Sequence, residues 1–237
     1  MMTSIKALIF DFDGLILDTE TPAFQSWQEI YSDYDVILTP EKWMRFVGTG
    51  SSAIASSPFD ELETLTGQHI DRHIVDTKRQ EMFMRLMKSE HIRPGIKKVI
   101  AQAKSSGLKI GLASSASRKW ILGNLERLEL LADFECIRCA DDADQVKPSP
   151  ELYQLVLTAF GIGPEQAIAF EDSPNGIQSA KAAGVFCIAV PNTLTQAALL
   201  QMTDIHIESL AEFDLEQFTG TRFPIKIQQV LYNQKPP

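Results

Sequence analysis

The stretch that most constrains this chain is Ile5 to Glu20, which reads IKALIFDFDGLILDTE. Ala7 to Phe10 is an unbroken apolar run, and Asp11, Asp13 and Gly14 follow it directly. A short run of this composition, closed by a turn signal, predicts a strand buried on both faces, as in a parallel sheet. Its carboxyl end is where open α/β sheets bind ligands, so both carboxylates stand where chemistry is usually placed. Two carboxylates one residue apart repel each other unless a positive charge is held beside them. A divalent metal would supply it: an ionised Asp can bind Mg²⁺ through one oxygen and attack an electrophile with the other, while the second carboxyl moves protons. Gly14 lets the chain leave the strand sharply. The plainer reading of the same residues is an N-cap or turn pair.

The region from about residue 18 to 91 carries helical patterns and no convincing strand. One helix is predicted through Phe24, Trp27, Ile30 and Tyr31; a second starts at Thr39-Pro40-Glu41 and stops near Gly48; a third runs from Asp60 to Thr66. Asp71 to Ser89 reads as a long helix, with Ile74, Val75, Lys78, Met82, Phe83, Leu86 and Met87 near one packing face. Gly48 to Ser52 is a polar, glycine-containing segment suited either to closing over a substrate or to joining two helices. From Arg93-Pro94-Gly95 onward, apolar strands alternate with helices, the pattern of βαβ units and a parallel sheet. Strands are expected at Lys109 to Ala113, Phe134 to Cys139, Ala167 to Phe170 and Val185 to Val190, with a small one at Asp204 to Ile207. Helices are expected at Ile96 to Ser106, Arg118 to Leu131, Glu151 to Phe160 with Ser149 as N-cap, and Gly176 to Ala183. The predicted fold is α/β, a Rossmann-like parallel sheet over 1–17 and 92–218 with an inserted α-helical domain over 18–91, followed by an unassigned tail at 219–237.

Four strand ends then carry polar groups. Asp11 and Asp13 close the first, Ser114 and Ser115 the second, Lys147 lies beyond the third, and Glu171 and Asp172 close the fourth. In a parallel sheet these ends share one edge, so distant residues meet in one crevice. Each has a plainer reading: the serines as N-caps, the lysine as a solvated loop residue, the second acidic pair as a helix cap. Together they suit phosphoryl transfer. A serine hydroxyl and the amides opening the next helix match phosphate oxygens, and a lysine offsets repulsion between phosphate and an attacking carboxylate. A second acidic pair completes an oxygen-rich Mg²⁺ site.

Composition narrows the partners. A net charge of −9 disfavours nucleic acid and anionic membranes as partners, so a phosphorylated substrate must be drawn in by a local cation. No stretch approaches the roughly 18 apolar residues of a membrane span, and MMTSIK has no signal-peptide pattern. Cys136, Cys139 and Cys187 are too few for a disulfide framework, which points to a reducing cytoplasm. The Cys136-x-x-Cys139 spacing invites a redox or zinc reading, but it lies in an apolar run without a second pair and reads as core.

The motifs DFDG at Asp11 to Gly14, LASS at Leu112 to Ser115, KPSP at Lys147 to Pro150 and EDSPNGI at Glu171 to Ile177 occur in the order of one known family. Over about Ile5 to Phe213 the chain resembles the haloacid dehalogenase-like hydrolases, in their β-phosphoglucomutase-like branch with a helical cap. The resemblance implies that Asp11 is the nucleophile, Asp13 the general acid and base, Ser114 a phosphate ligand with Ser115 beside it, and Lys147 the phosphate-orienting lysine. It implies Mg²⁺ held by Asp11, Asp172 and the backbone carbonyl of Asp13, with Glu171 as a further ligand or as a partner behind the ligands. The expected function is Mg²⁺-dependent hydrolysis of a small phosphorylated metabolite, such as a sugar phosphate, through an aspartyl-phosphate. A monomer or weak homo-oligomer suffices for it.

Mutases of that branch share Asp18 and Thr19 but carry a His four residues after the Thr and an Arg three residues after the cap glycine, where this chain has Ala23 and Ser51. Both departures favour water as the acceptor. Lys78 and Arg79 could reach a substrate from the cap or simply face solvent. A dehalogenase would not need Asp13, and a receiver domain is shorter and lacks the insertion. A non-catalytic phosphosugar sensor would have lost a motif carboxylate or the lysine, and none is missing.

Overall fold

In a computed structural model of the chain, which describes residues 4–43, 45–46, 57–192, 194 and 205–216, the run after Lys6 is a strand, β1 (Ala7–Phe10). The others are β2 (Lys109–Ala113), β3 (Cys136–Arg138), β4 (Ala167–Glu171), β5 (Phe186–Ala189) and β6 (Ile205–His206). They form one sheet in the order β3-β2-β1-β4-β5-β6, with every pairing parallel. The chain moves outward from β1 to β2 and β3, then returns to place β4 on β1's other side. The crevice between the carboxyl ends of β1 and β4 is therefore the switch point of a Rossmann-like sheet.

The helices of the described residues are α1 (Glu20–Ser32), α2 (Pro40–Trp43), α3 (Pro58–Thr66), α4 (Arg72–Met87), α5 (Ile96–Ser105), α6 (Arg118–Arg127), α7 (Glu151–Phe160) and α8 (Pro174–Ala182). Strand side chains alternate between faces, and helices cover both. Leu8, Phe10, Ile168 and Phe170 pack with Val99 and Ile100 of α5 and with Ile121 and Leu125 of α6. Ala7, Ile9, Ala167 and Ala169 face the other way, against Leu152 and Val156 of α7 and Ile177 and Ala180 of α8. This double covering explains why β1 shows no polar alternation.

Helices α1 to α4 build a separate apolar cluster from Phe24, Trp27, Ile30, Tyr31, Leu38, Trp43, Leu62, Ile70 and Val75. The two chain passages that lead into and out of these helices lie side by side: Leu17 bridges Ile92 in antiparallel sense, and Arg93 N–H donates to the Ile16 carbonyl at 2.9 Å. Helix α3 ends as the sequence leads one to expect, with Gly67 in the left-handed conformation, but it starts two residues before Asp60, at Pro58, because Ser57 and Asp60 form a capping box there.

Several boundaries differ from the sequence reading. The α4 stripe is not one face: Val75 enters the helical cluster, Phe83 and Met87 pack on the sheet core, and Ile74 is 65% exposed. A helix that bridges two cores turns its buried side along its length. The helix begun at Arg118 ends at Arg127, because Glu129 takes a left-handed backbone (φ 58°) and reverses the chain; buried Leu128 and Leu130 lie beyond and mimic continued periodicity. The Phe134–Cys139 run yields only the three-residue edge strand β3, since β2 pairs with it over just those residues. Pro150, not Ser149, stands at the N-cap of α7, although Ser149 Oγ accepts from Glu151 N–H at 3.4 Å. Helix α2 is a single turn, with hydrogen-bonded turns at Arg45 and Phe46. The Gly48–Ser52 segment and the tail at 219–237 lie outside the described residues.

Phe170 is fully buried, with ring centroids 5.1 Å from Phe10 and 4.9 Å from Phe213, so it joins β4 to β1 and to the C-terminal segment. Phe170→Ala is expected to cost about 3–5 kcal/mol of stability. Urea unfolding followed by circular dichroism would read this loss.

Candidate active site

β1 delivers Asp11 to the switch point, and the chain then turns back on itself: Gly14 N–H donates to the Leu17 carbonyl at 2.8 Å and Ile16 N–H to Phe12 at 2.9 Å. Gly14 holds φ at +79°, and a Cβ there would stand 1.9 Å from Asp172 Oδ2. A side chain at Gly176, in the first turn of α8, would stand 1.8 Å from Glu171 Oε2. Two glycines thus make room for the two carboxylates that end β4.

Lys147 reaches into this acidic group from the loop after β3. Its Nζ lies 2.5 Å from Asp11 Oδ1 and 2.6 Å from Glu171 Oε1, and all three side chains are buried. Burial opposes the lysine's charge, but Asp11 and Glu171 outweigh it and hold its pKa above the ordinary value. Tyr153 of α7 donates its hydroxyl to Glu171 Oε1 at 2.5 Å, and the Lys147 ammonium sits 5.4 Å from the centre of its ring. One lysine face is thus ionic and another aromatic.

Asp11, Glu171 and Asp172 bring one carboxylate oxygen each within 4.8 Å of one another. Glu171 Oε2 is buried without a hydrogen-bond partner. Burial, with Lys147 opposing and Asp11 assisting, pushes the Glu171 pKa to about 7. Burial and the charges of Asp11, Glu171 and Glu20 drive Asp172 well above the usual carboxylate range, against Arg93. Burial and mutual repulsion thus push Glu171 and Asp172 toward their neutral forms, and a divalent cation beside them would favour the ionised ones. An all-oxygen donor set with an orphaned buried carboxylate oxygen fits a hard divalent cation.

Asp13 stands two residues on, partly buried. Burial and the charge of Asp11 raise its pKa to about 6, against hydrogen bonds from Trp120 and Thr19 and the charge of Lys147. That value suits a carboxyl that gives and takes protons near neutrality. Ser114 is buried at the end of β2, and its Oγ accepts from Ala116 N–H at 3.0 Å in the loop before α6. Ser115 is exposed, and its Oγ accepts from Lys147 N–H at 3.3 Å, which ties the lysine's backbone to the second strand end.

Other residues come to the site without a signal that periodicity could carry. Trp120 of α6 donates its indole N–H to Asp13 Oδ1 at 2.8 Å. Glu20, at the start of α1, is pushed to about 7 by burial and by Asp13, Asp18 and Asp11. Arg93 donates to the Gly14 carbonyl and, at 2.8 Å, to that of Pro191, bracing the turn after β1 from behind. Asn192 Nδ2 donates to Asp172 Oδ2 at 2.8 Å. Asn192 lies just past β5, so the rule that found the other four strand ends would have found it too.

The cysteines take no part. Cys136 packs on one face of the sheet and Cys139 on the other, as residues three apart on extended chain must, and all three cysteines are buried outside any disulfide. Lys78 pairs with Asp33 at 2.5 Å, and Arg79 pairs with Asp76 and lies over the Trp27 ring, so both are engaged within the helical insertion. Ala23 packs against the apolar cluster of that insertion, and Ser51 lies outside the described residues. No helix of the described residues is long and apolar enough to cross a membrane.

Residues 8–190 match the model of the haloacid dehalogenase-like hydrolases. YhcW of Bacillus subtilis, whose name assigns it provisionally to the phosphatases, is 44% identical over 211 residues, 89% of this chain and 94% of its own. A phosphorylated carbohydrates phosphatase of Thermotoga maritima is 30% identical over 181 residues, 76% of this chain and 82% of its own. A crystal structure from the same organism, provisionally named a β-phosphoglucomutase, superposes with a TM-score of 0.71 at 25% identity, covering 98% of this chain and 100% of that one. The chain is an enzyme of the haloacid dehalogenase-like hydrolase family.

Proposed function

We propose that this hydrolase removes phosphate from a small phosphorylated metabolite, a sugar phosphate above all, by way of an aspartyl-phosphate on Asp11. The observation that carries the reading is the buried set of Asp11, Lys147, Glu171 and Asp172 at the switch point of the sheet. The relatives named for phosphatases, one of them for phosphorylated carbohydrates, support it. Asp11, Asp172 and Glu171, with the backbone carbonyl of Asp13, would hold Mg²⁺, whose charge would neutralise phosphoryl oxygens.

Asp11 attacks phosphorus in line with the leaving oxygen, and Lys147 offsets the repulsion between carboxylate and phosphate. The hydroxyl of Ser114, with Ser115 and the amides that open α6, receives the non-bridging oxygens. Asp13 protonates the leaving alkoxide as its bond to phosphorus breaks. The same carboxylate, now a base, takes a proton from water, which attacks the acyl phosphate and frees Asp11.

The helical part at 18–91 acts as a cap and 1–17 with 92–218 as the catalytic core, a division supported by the separate apolar cluster and by the paired crossing at Leu17 and Ile92. A mutase on the same scaffold would return the phosphoryl group to the sugar. Ala23 offers no proton-transferring group where mutases have histidine, so water is the acceptor. A cytoplasmic location agrees with three cysteines outside any disulfide, and a monomer or weak homo-oligomer meets the chemistry.

Asp11→Asn is expected to abolish turnover of p-nitrophenyl phosphate, and excess EDTA to remove it reversibly. Full activity in either case would overturn the reading. Asp13→Asn should slow hydrolysis of alkyl phosphates by about 100-fold, and that of p-nitrophenyl phosphate far less, because nitrophenolate leaves without a proton. Steady-state rates on both substrates separate the cases. Gly176→Ala should displace Glu171 and weaken Mg²⁺ binding by about tenfold or more, read by calorimetric titration of the folded variant.

A further inference from the structure

Trp120 has no part in the scheme above, yet its indole N–H donates to the Asp13 carboxylate, 2.8 Å from Nε1 to Oδ1. The residue sits in the first turn of α6, whose N-cap Ser117 accepts the Trp120 backbone N–H at 3.4 Å. Its ring packs against the sheet core and lies 5.8 Å from the Phe83 ring at an interplanar angle of 31°. Phe83 belongs to α4, the last helix of the insertion. The indole is thus held on its apolar side by the core and by the insertion, with its single polar atom on Asp13.

We propose that Trp120 is a positioning residue for proton transfer, one that commits Asp13 Oδ1 as an acceptor and so presents Oδ2 to the leaving group. The inference rests on the phosphatase reading and on the acid role of Asp13. An indole nitrogen can only donate, so the oxygen it meets is held as an acceptor, and a protonated Asp13 carries its proton preferentially on the other oxygen. The Thr19 hydroxyl, which also bonds Asp13, can donate or accept and imposes no such choice. In the first half-reaction the Oδ2 proton passes to the leaving oxygen as the phosphorus–oxygen bond breaks toward that oxygen. In the second, Oδ2 takes a proton from the attacking water. Throughout, Oδ1 stays on the indole, which spares the carboxyl a search among rotamers. Because the ring also rests on Phe83, the aim of the acid is tied to the place of α4 over the core.

Trp120→Phe keeps the ring contact with Phe83 and removes only the donor. Phenyl phosphate and p-nitrophenyl phosphate have almost the same shape but differ in how much their leaving groups need a proton. The expected result is a fall in kcat of about tenfold for phenyl phosphate, with less than about threefold for p-nitrophenyl phosphate and KM unchanged for both. In an Asp13→Ala background the Trp120→Phe change should cost nothing further. Equal losses on both substrates, or losses that add to those of Asp13→Ala, would overturn the role and mark Trp120 as packing. If Trp120→Phe fails to fold, benzothienylalanine at position 120 removes the N–H from an isosteric ring, and the same two outcomes decide. A wild-type protein inactive on both phosphates would instead overturn the phosphatase reading and take this role with it.

Discussion

The structure depends on one buried ionic contact, the Lys147 ammonium between Asp11 and Glu171. Bringing several carboxylates together out of water is costly, because neither solvent nor distance then screens their repulsion. The lysine relieves part of it, the Tyr153 hydroxyl satisfies the same Glu171 oxygen, and Asn192 and Arg93 steady Asp172. What they leave is an orphaned Glu171 oxygen and carboxyls pushed toward their neutral forms, and a divalent cation would answer both. Asymmetry in this cluster separates its members: Asp11 is held by the lysine, whereas Asp13, turned toward Trp120 and Thr19, sits in the range of a proton carrier.

Everything else in the core serves to hold that cluster in place. Parallel pairing of β1 with β2 and β4 puts residues far apart in sequence at one edge, and helices on both faces exclude water from the strands. Bulky side chains fill one face and alanines much of the other, where α7 brings Tyr153 beneath the lysine. Gly14 and Gly176 then act by what they lack. Any side chain at either would occupy the space of a carboxylate that the site requires.

The insertion has an apolar cluster of its own, yet α4 is shared between it and the core. Val75 belongs to one and Met87 to the other, with the Phe83 and Trp120 rings in contact near Asp13. The insertion and the Asp13 carboxyl are thus mechanically neighbours. Glu20, at the base of the first inserted helix, adds a carboxylate to the rim of the same crevice.

Much of this was legible without coordinates. An apolar run closed by Asp11 and Asp13, alternation of strands and helices after Arg93, and polar residues at successive strand ends were enough to specify the sheet, the helical insertion and the gathering of Asp11, Lys147, Glu171 and Asp172 at one edge, because period and strand-end chemistry are local properties of sequence. Where buried leucines flanked a chain reversal, as Leu128 and Leu130 do at Glu129, the same local rule overran the helix. Contacts across the fold had no such trace. Trp120 on Asp13, Tyr153 under Lys147, and the room that Gly176 leaves for Glu171 depend on which helix crosses which strand end, and only tertiary packing decides that.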